Sequence, residues 1–316
     1  NMSNVTAEQK KEVKGRGFLP SRDGEHFAAR IITVNGVINA SQAKKIAEAA
    51  EKFGNGQLAF TTRLTVELPG VKFEDIEALS EFIASENLIT GGTGSRVRPV
   101  VAFKGTVCVH GLADTQALAA EIHEEFYKNW YDVKLPHKFK IGVGGCPNNC
   151  IKPDLNDLGI VGQRVPDYDS ELCVGCKKCA VVEVCPVKAA KLTDKGKLEI
   201  DSNLCNNCGK CIESCNFDSI EEKESGYKVY IGGKWGKSVR PGTQIDRLFS
   251  KEELMTLIEK AILLFREQGN TGERFGITID RIGADKFIEM LLSDEVLERK
   301  EEILEALLHL TGGAVC

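Results

Sequence analysis

Eight cysteines fall in two closely spaced runs between residues 173 and 215, and they restrict the fold more than any other feature of the sequence. The first run reads C-x2-C-x2-C-x5-C-P and holds Cys173, Cys176, Cys179 and Cys185; the second reads C-x2-C-x2-C-x3-C and holds Cys205, Cys208, Cys211 and Cys215. Such gaps let successive thiolates wrap around one corner of a cubane iron-sulfur cluster, while the fourth cysteine of each run reaches the neighbouring cluster.

The expected ligand sets are therefore crossed between the two runs. One [4Fe-4S] cluster takes Cys173, Cys176, Cys179 and Cys215, and the other takes Cys205, Cys208, Cys211 and Cys185. A pair of zinc knuckles is the alternative, but tandem triplets that each carry a trailing fourth cysteine are rarely zinc sites. The segment resembles a bacterial-type two-cluster ferredoxin and departs from it in the longer gap between Cys179 and Cys185.

A module of this kind carries electrons and does no chemistry on a substrate by itself. The turn residues Pro166 and Asp167 lead into it, and KESGYKVYIGG leads out of it into a strand-like run. We therefore expect residues 166–224 to be an insertion within one larger domain.

The composition restricts the class of protein. Twelve cysteines in 316 residues could form a disulfide scaffold, but the chain is long enough to bury its own core and begins without an apolar secretory segment. A net charge of -5 gives no electrostatic footprint for nucleic acid, and no apolar run is long enough to cross a bilayer. We expect a cytoplasmic protein in which clustered thiols bind metal.

Strand and helix patterns alternate along the remaining chain, which predicts an α+β fold in which helices cover small sheets. Strands are predicted at residues 28–34, 57–68, 98–107, 139–143, 158–162 and 227–231. Helices are predicted from Ser41 as N-cap to residue 53, at 75–88 and at 114–129, and a stripe from Leu254 to Phe265 predicts another.

The order of several motifs is similar to the repeat unit of the sirohaem-containing sulfite and nitrite reductases. These motifs are FTTRLTVEL, RVRPVVAFKGTVC, LPHKFKIGVGGCPNNC, GGKWGKS and GERFGITIDRIG. With the insertion, the resemblance is greatest to small single-repeat anaerobic sulfite reductases of the dissimilatory type. It implies a ferredoxin-like half domain at 1–92, a sirohaem and [4Fe-4S] domain at 93–165 and 225–292, and a C-terminal helix and tail at 293–316.

The resemblance also implies a third cluster. In that family a C-x3-C pair like Cys146 and Cys150 binds a [4Fe-4S] cluster, and the second cysteine bridges to the sirohaem iron. Asn148 and Asn149, between the two, are assigned to cofactor binding. Cys108 matches one member of an earlier cysteine pair, and Ala102 or Phe103 stands where the other is expected. The alternative is that Cys108 is an ordinary buried thiol; His110, two residues later, is more often structural than a ligand.

Four basic residues match those that contact the substrate anion and the sirohaem carboxylates in the family: Arg63, Arg98, Lys138 and Lys140. On a strand, Lys138 and Lys140 would project to one face on either side of Phe139. A solvated strand edge is the alternative for these lysines. Arg96 shares a strand face with Arg98, so that either arginine could reach the anion or the cofactor.

Two classes of function follow. The first is a reductase that takes electrons through the two ferredoxin-type clusters and reduces sulfite to sulfide at sirohaem, with nitrite reduction to ammonia as the alternative. The second is an electron-transfer subunit that has lost sirohaem. The expected electron donor is a ferredoxin or a flavin-bearing subunit. We also expect a homodimer, or a complex with a related subunit, in which the second chain supplies a second repeat. Cys316 is expected to lie in a solvated tail. The alternatives are that it supplies the cluster ligand missing at Ala102 or Phe103, or that it is a mobile thiol that takes up reduced sulfur.

Overall fold

The computed structural model describes residues 5–309. Its first part is a four-stranded antiparallel sheet in the order β1-β2-β4-β3, preceded by helix α1 (Ala7–Gly15). The strands are β1 (Phe18–Pro20), β2 (Phe27–Ile31), β3 (Ala59–Phe60) and β4 (Val66–Val71), and the covering helices are α2 (Ala40–Phe53) and α3 (Ile76–Ala84). The stripe of Ile46, Ala49, Ala50 and Phe53 on α2 is buried in the core of this layer, as its helical spacing predicts.

Two local expectations for this layer are wrong. The N-cap of helix α2 is Asn39, two residues before the predicted Ser41, because Asn39 and Gln42 form a reciprocal capping box that Ser41 cannot form. The predicted strand at 57–68 is a hairpin: the Leu64 amide donates to the Thr61 carbonyl, and Leu64 has φ of 60°. The turn carries Arg63 out of the sheet and toward the rest of the chain.

The second layer is a five-stranded mixed sheet in the order β11-β10-β7-β6-β5. Its strands are β5 (Val101–Ala102), β6 (Ile141–Gly144), β7 (Leu158–Tyr168), β10 (Ile220–Ile231) and β11 (Thr243–Phe249). Strands β5, β6 and β7 are parallel, and β7, β10 and β11 are antiparallel. Helices α4 (Thr115–Ile122) and α6 (Lys251–Gln268) cover it, and α4 continues as a π-helical segment at His123–Lys128.

The predicted strand at 98–107 is also wrong over most of its length. Only Val101–Ala102 pairs, with β6, and the chain then turns into a 3-10 helix at Gly105–Val107. Gly105 makes this turn possible, because a Cβ there would lie 2.8 Å from the Thr115 side chain at the start of α4. The loop that follows brings Cys108 to the edge of the sheet.

Strands β7 and β10 pair from Leu158 with Ile231 to Tyr168 with Ile220, with one register shift between Glu222 and Glu224, so the sheet runs across residues 166 and 224 and into the expected insertion. At its far end lie α5 (Ala180–Val184), β8 (Ala190–Leu192) and β9 (Leu198–Ile200). Val181, Ala190, Leu198 and Ile220 form a separate small core there, against which cysteines of both runs pack.

The C-terminal helices are α7 (Phe275–Ile282), α8 (Ala284–Leu292), α9 (Glu295–Glu298) and α10 (Lys300–Glu305). Val296 and Ile303 are buried in the same core as the second sheet, so these helices complete its cover. Within residues 5–309 no helix combines the length and the apolar character that crossing a membrane requires.

Candidate functional site

Cys146 follows the carboxyl end of β6, and the thiols of Cys108 and Cys150 lie near enough to influence it. Burial raises the pKa of the Cys146 thiol, and the neighbouring thiols of Cys150 and Cys108 raise it further. Cys146 is buried, Cys108 is partly buried and Cys150 is exposed. The structure therefore places Cys108 and Cys150 in the neighbourhood of Cys146, and their binding of one cluster stays a prediction.

Close backbone contacts fix this arrangement. The Gly111 amide closes a turn onto the Cys108 carbonyl at 2.8 Å, and the Leu112 amide donates to the Gly145 carbonyl at 2.8 Å. A Cβ at Gly111 would lie 1.9 Å from the Gly105 carbonyl oxygen, so that no other residue fits without moving the loop.

The position of the expected fourth cysteine is occupied by apolar residues. Ala102 is buried in the core of the second layer and is paired with Val143. Phe103 is only partly buried, and its amide donates to the Val143 carbonyl. Because successive side chains of a strand project to opposite faces, position 103 rather than 102 faces away from the core.

Lys138 and Lys140 flank the fully buried Phe139, as the alternation in the sequence predicts. Both lysines are partly buried, and neither ammonium makes a hydrogen bond or an ion pair with any residue in the described part of the chain. Burial lowers the pKa of Lys140 to about 8, and the cations of Arg63, Lys138 and Arg274 lower it further. Unpaired ammonium groups held this close favour a bound anion.

Arg63 reaches this site from the β3-β4 turn. Its guanidinium donates to the Asn156 side-chain oxygen at 2.6 Å, and to the carbonyl oxygens of Pro99 at 2.6 Å and Ile141 at 3.1 Å. Its Nε is buried with no hydrogen-bond partner in the structure, and burial lowers its pKa to about 9. Most of its donors therefore hold the backbone, and one faces the interior unpaired.

The two arginines of the RVR motif differ in their surroundings. Arg98 donates to the carbonyl oxygens of Gly94 and Gly92, and burial, together with the cations of Arg30, Arg96 and Arg274, lowers its pKa to about 10. The Arg96 guanidinium lies over the Tyr131 ring, with 4.2 Å from its central carbon to the ring centre. Arg98 thus lies among the other cations of the site, whereas Arg96 stacks on an aromatic ring.

A buried ion pair that the sequence analysis missed lies beneath these cations. Asp157 is fully buried, and its carboxylate accepts hydrogen bonds from Arg274 at 2.8 and 2.9 Å and from the Lys140 amide at 2.9 Å. Burial raises the pKa of Asp157, and Arg274 opposes that rise. Arg274 lies in the GERFG motif, but no local pattern connects it to Asp157.

His137 is a second residue that the sequence did not indicate. Its Nδ1 accepts a hydrogen bond from the Lys138 amide at 2.7 Å. Burial lowers its pKa to about 4, and the cations of Arg274, Lys138, Arg98 and Lys140 lower it further. At neutral pH the imidazole is uncharged, and its proton is on Nε2.

The asparagines of the C-x3-C loop have unequal roles. Asn149 adopts φ of 55°, and its amide nitrogen donates to the Asp154 carboxylate at 2.8 Å, while its side-chain oxygen is buried with no hydrogen-bond partner in the structure. The Asn148 amide lowers the pKa of Cys146 by hydrogen bonding to its sulfur. His110 is exposed at the wall of a cavity that Cys146 also lines. Cys316 lies outside the described residues.

Some cysteines of the two runs of the insertion lie near one another, as the crossed sets require. Burial raises the pKa of Cys211 to about 11, and the neighbouring thiols of Cys205, Cys208 and Cys185 raise it further. The Cys215 thiol instead has Cys173 as its neighbour. Among the described residues, no three His, Cys, Asp or Glu side chains converge on a point where one metal ion could bind; a cubane spreads its thiolates over separate iron atoms.

Comparison with known proteins identifies the family. A family model described as the nitrite and sulphite reductase 4Fe-4S domain matches residues 93–300, and one described as the nitrite/sulfite reductase ferredoxin-like half domain matches residues 19–85. The chain belongs to the nitrite and sulfite reductase family. The expected family and fold class are confirmed, and the matched ranges include Arg63, both site lysines and the three cysteines Cys108, Cys146 and Cys150.

Individual members of the family cover different shares of the chain. It is 35% identical over 277 residues to the coenzyme F420-dependent sulfite reductase of Methanocaldococcus jannaschii, covering 86% of the chain but only 43% of that relative. It is 26% identical over 291 residues to the dissimilatory-type sulfite reductase subunit beta of Nitratidesulfovibrio vulgaris, covering 83% and 74%. The crystal structure of dissimilatory sulfite reductase I shares the fold, with a TM-score of 0.67 and 21% identity over 84% of this chain and 69% of that one.

Proposed function

We propose that this chain is a sulfite reductase subunit that reduces sulfite to sulfide at a sirohaem coupled to a [4Fe-4S] cluster. The observation that carries the proposal is the pair of unpaired, partly buried ammonium groups of Lys138 and Lys140, which stand just before the strand β6 that leads to Cys146. Nitrite reduction to ammonia is the second candidate, because the same cations would serve either small oxyanion.

The residues of this site fit a polyanionic cofactor. Sirohaem carries many carboxylates, and the site offers Arg63, Arg98, Arg274 and the two lysines against one buried carboxylate, Asp157. Two guanidinium nitrogens, Nε of Arg63 and Nε of Arg274, are buried with no hydrogen-bond partner in the structure. Buried donors without partners cost free energy, which an anionic ligand would recover.

Each group of residues has a separate task in this proposal. Cys108, Cys146 and Cys150 would hold the cluster, with Cys150 as its exposed thiolate, and sirohaem would supply an iron for reduction of the anion. Lys138 and Lys140 hold the oxyanion and stabilise the charge that it gains with each electron. His137 offers an uncharged Nε2–H donor among these cations.

The insertion supports the electron supply in this proposal. Its two sets of cysteines would hold two [4Fe-4S] clusters that take electrons from a donor protein and pass them to the Cys146 site. We also propose a homodimer or a complex with a related subunit, because the larger members of the family carry two repeats and this chain carries one. An electron-transfer subunit without sirohaem is the competing proposal, and the visible absorption of the loaded protein distinguishes the two.

Visible absorption of the protein after anaerobic loading with iron, sulfide and sirohaem tests this directly. We expect narrow sirohaem bands over the broad iron-sulfur absorption, and we expect Cys150→Ser to shift those bands. Cys176→Ser, in the insertion, is the matched control and should leave them in place. Absorption that stays broad, with no retained sirohaem, would support the electron-transfer subunit instead.

A further inference from the structure

Strand β7 supports both of the loops that carry cluster cysteines. Gly162 and Arg164 are alternate residues of this strand, so they face the same side of the sheet. Their spacing along the strand is about 6.6 Å. Each of them contacts a different loop.

Gly162 contacts the loop that leads to Cys146. A Cβ at this position would lie 2.8 Å from the Gly145 carbonyl oxygen and 3.3 Å from the Ala113 Cβ. The backbone before Cys146 therefore packs directly on the strand, without an intervening side chain.

Arg164 contacts the loop that carries Cys208. Its amide donates to the Asn207 carbonyl at 2.9 Å. Gly209, at φ of +68°, packs on its side chain so closely that a Cβ would lie 2.8 Å from the Arg164 Cβ. The guanidinium pairs with Glu213 at 3.0 Å and also with Glu222, so it joins the cysteine loop to strand β10.

Between the two loops lies a cavity of about 270 Å³ that Cys146 and Cys208 both line. The Cys208 thiol is close enough to Cys146 to contribute to the rise in its pKa. Cys173 and Cys215, which neighbour each other, are not among the residues that line this cavity. The two sets of insertion cysteines are therefore unequally placed relative to the Cys146 site.

We propose that Arg164 is a positioning residue that holds the Cys185, Cys205, Cys208 and Cys211 set against the Cys146 site, and that electrons leave the insertion through this set. The Cys173, Cys176, Cys179 and Cys215 set is then the entry point. The inference rests on the proposed function. Each step moves one electron: the insertion loses it and the Cys146 site gains it, and a low-potential one-electron donor restores it.

The test compares two variants that loosen the same contact by different means. Arg164→Gln removes both ion pairs, and Gly209→Ala forces the loop away from Arg164. Arg247→Gln is the matched control, because Arg247, on strand β11, pairs with Glu253 in the first turn of α6 and with no residue of the cysteine loops. Iron content, sirohaem absorption and thermal midpoint are measured for each variant, to separate loss of folding from loss of contact.

Loaded protein is reduced anaerobically with a viologen radical and mixed with nitrite or sulfite, and the reduced-cluster EPR signal of the insertion is followed by rapid freezing. We expect reoxidation to slow several-fold in both test variants and not in the control, because electron tunnelling falls steeply with distance. We also expect the insertion signal to saturate at lower microwave power in both, because the nearest cluster lies farther from paramagnetic sirohaem.

Wild-type reoxidation and wild-type saturation in both variants would overturn the role of Arg164 and leave the proposed function intact. If wild-type protein is itself not reoxidised by either anion, the proposed function fails instead. In that case the microwave power that saturates the insertion signal is still measured. A paramagnetic cluster at Cys146 raises this power when it is near, so the comparison of variants still decides whether Arg164 holds the two sites together.

Discussion

Arg274 donates hydrogen bonds to both carboxylate oxygens of the fully buried Asp157, at 2.8 and 2.9 Å. The pair lies beneath the cationic site, and the same carboxylate accepts a hydrogen bond from the Lys140 amide. Asp157 thus fixes the backbone of one lysine and the side chain of one arginine. A site with this many cations is compatible with folding because this carboxylate offsets part of their repulsion.

Arg274→Met should destabilise the protein, because it leaves the buried Asp157 carboxylate with one hydrogen bond and no ion-pair partner. We expect a loss of about 3–5 kcal/mol in the free energy of unfolding, the usual cost of removing one partner of a buried pair. Chemical denaturation measures it. Arg247→Met, which breaks an exposed pair with Glu253, should cost about 1 kcal/mol or less; equal losses in the two variants would show that the buried pair has no special role.

Anion affinity should depend on the protonation of Lys140. Its pKa is lowered to about 8, so the ammonium is charged below that pH and loses its proton as the pH rises through it. Nitrite remains an anion throughout, and its affinity should therefore fall above about pH 8. Titrations of nitrite from neutral to alkaline pH measure this. The fall should disappear in Lys140→Met and persist in the exposed control Lys134→Met.

The cationic surroundings of His137 should make the protein sensitive to acid. The pKa of His137 is lowered to about 4 in the folded protein. At pH values between the ordinary histidine pKa and about 4, His137 is therefore protonated in the unfolded chain but not in the folded one. Stability is therefore lost as the pH falls through this window. Urea unfolding at several pH values should show a shallower loss for His137→Asn than for wild type. The control is the exposed His110→Asn, which should behave as wild type. If the free energy of unfolding of His137→Asn falls with pH as steeply as that of wild type, the acid sensitivity lies elsewhere.

A fourth thiol should complete the cluster site from position 103 and not from position 102. The Ala102 side chain is buried in the core, while Phe103 is partly exposed on the opposite face. We expect Phe103→Cys to raise the iron bound per chain and to sharpen the cluster's EPR signal after anaerobic loading. Ala102→Cys is the matched control, and it should not raise the iron bound per chain or sharpen the EPR signal. The reverse result would mean that the strand end is oriented differently when the cluster is bound.

The parts of this protein that follow from short-range patterns could be predicted from its sequence. The nearness of Cys185, Cys205 and Cys208 to Cys211 follows from cysteine gaps of a few residues, and the buried stripe of α2 follows from helical spacing. The β3-β4 turn could not be predicted, because Leu64 in a left-handed conformation has no local signal. The Asp157–Arg274 pair joins residues 117 apart, so only the folded sheet and helix α7 bring them together.

The same limit applies to the edge of the second sheet. The apolar run through residues 98–107 is typical of a strand, but the chain leaves the sheet after Ala102 because the start of α4 occupies the space beside Gly105. Tertiary contact of this kind overrides local β propensity. It also decides where Cys108 lies, which makes the cluster site less predictable than the insertion.

Anaerobic turnover of the loaded protein with a viologen radical, in the presence of sulfite or nitrite, tests the central claim most directly. The measurement counts the electrons consumed and the sulfide or ammonia formed. We predict that six electrons are consumed for each sulfite converted to sulfide, and that this turnover falls sharply in the Lys138→Ala and Lys140→Ala double variant while its stability and iron content are kept. Oxidation of the viologen without sulfide or ammonia, or a double variant as active as the wild type, would contradict the account.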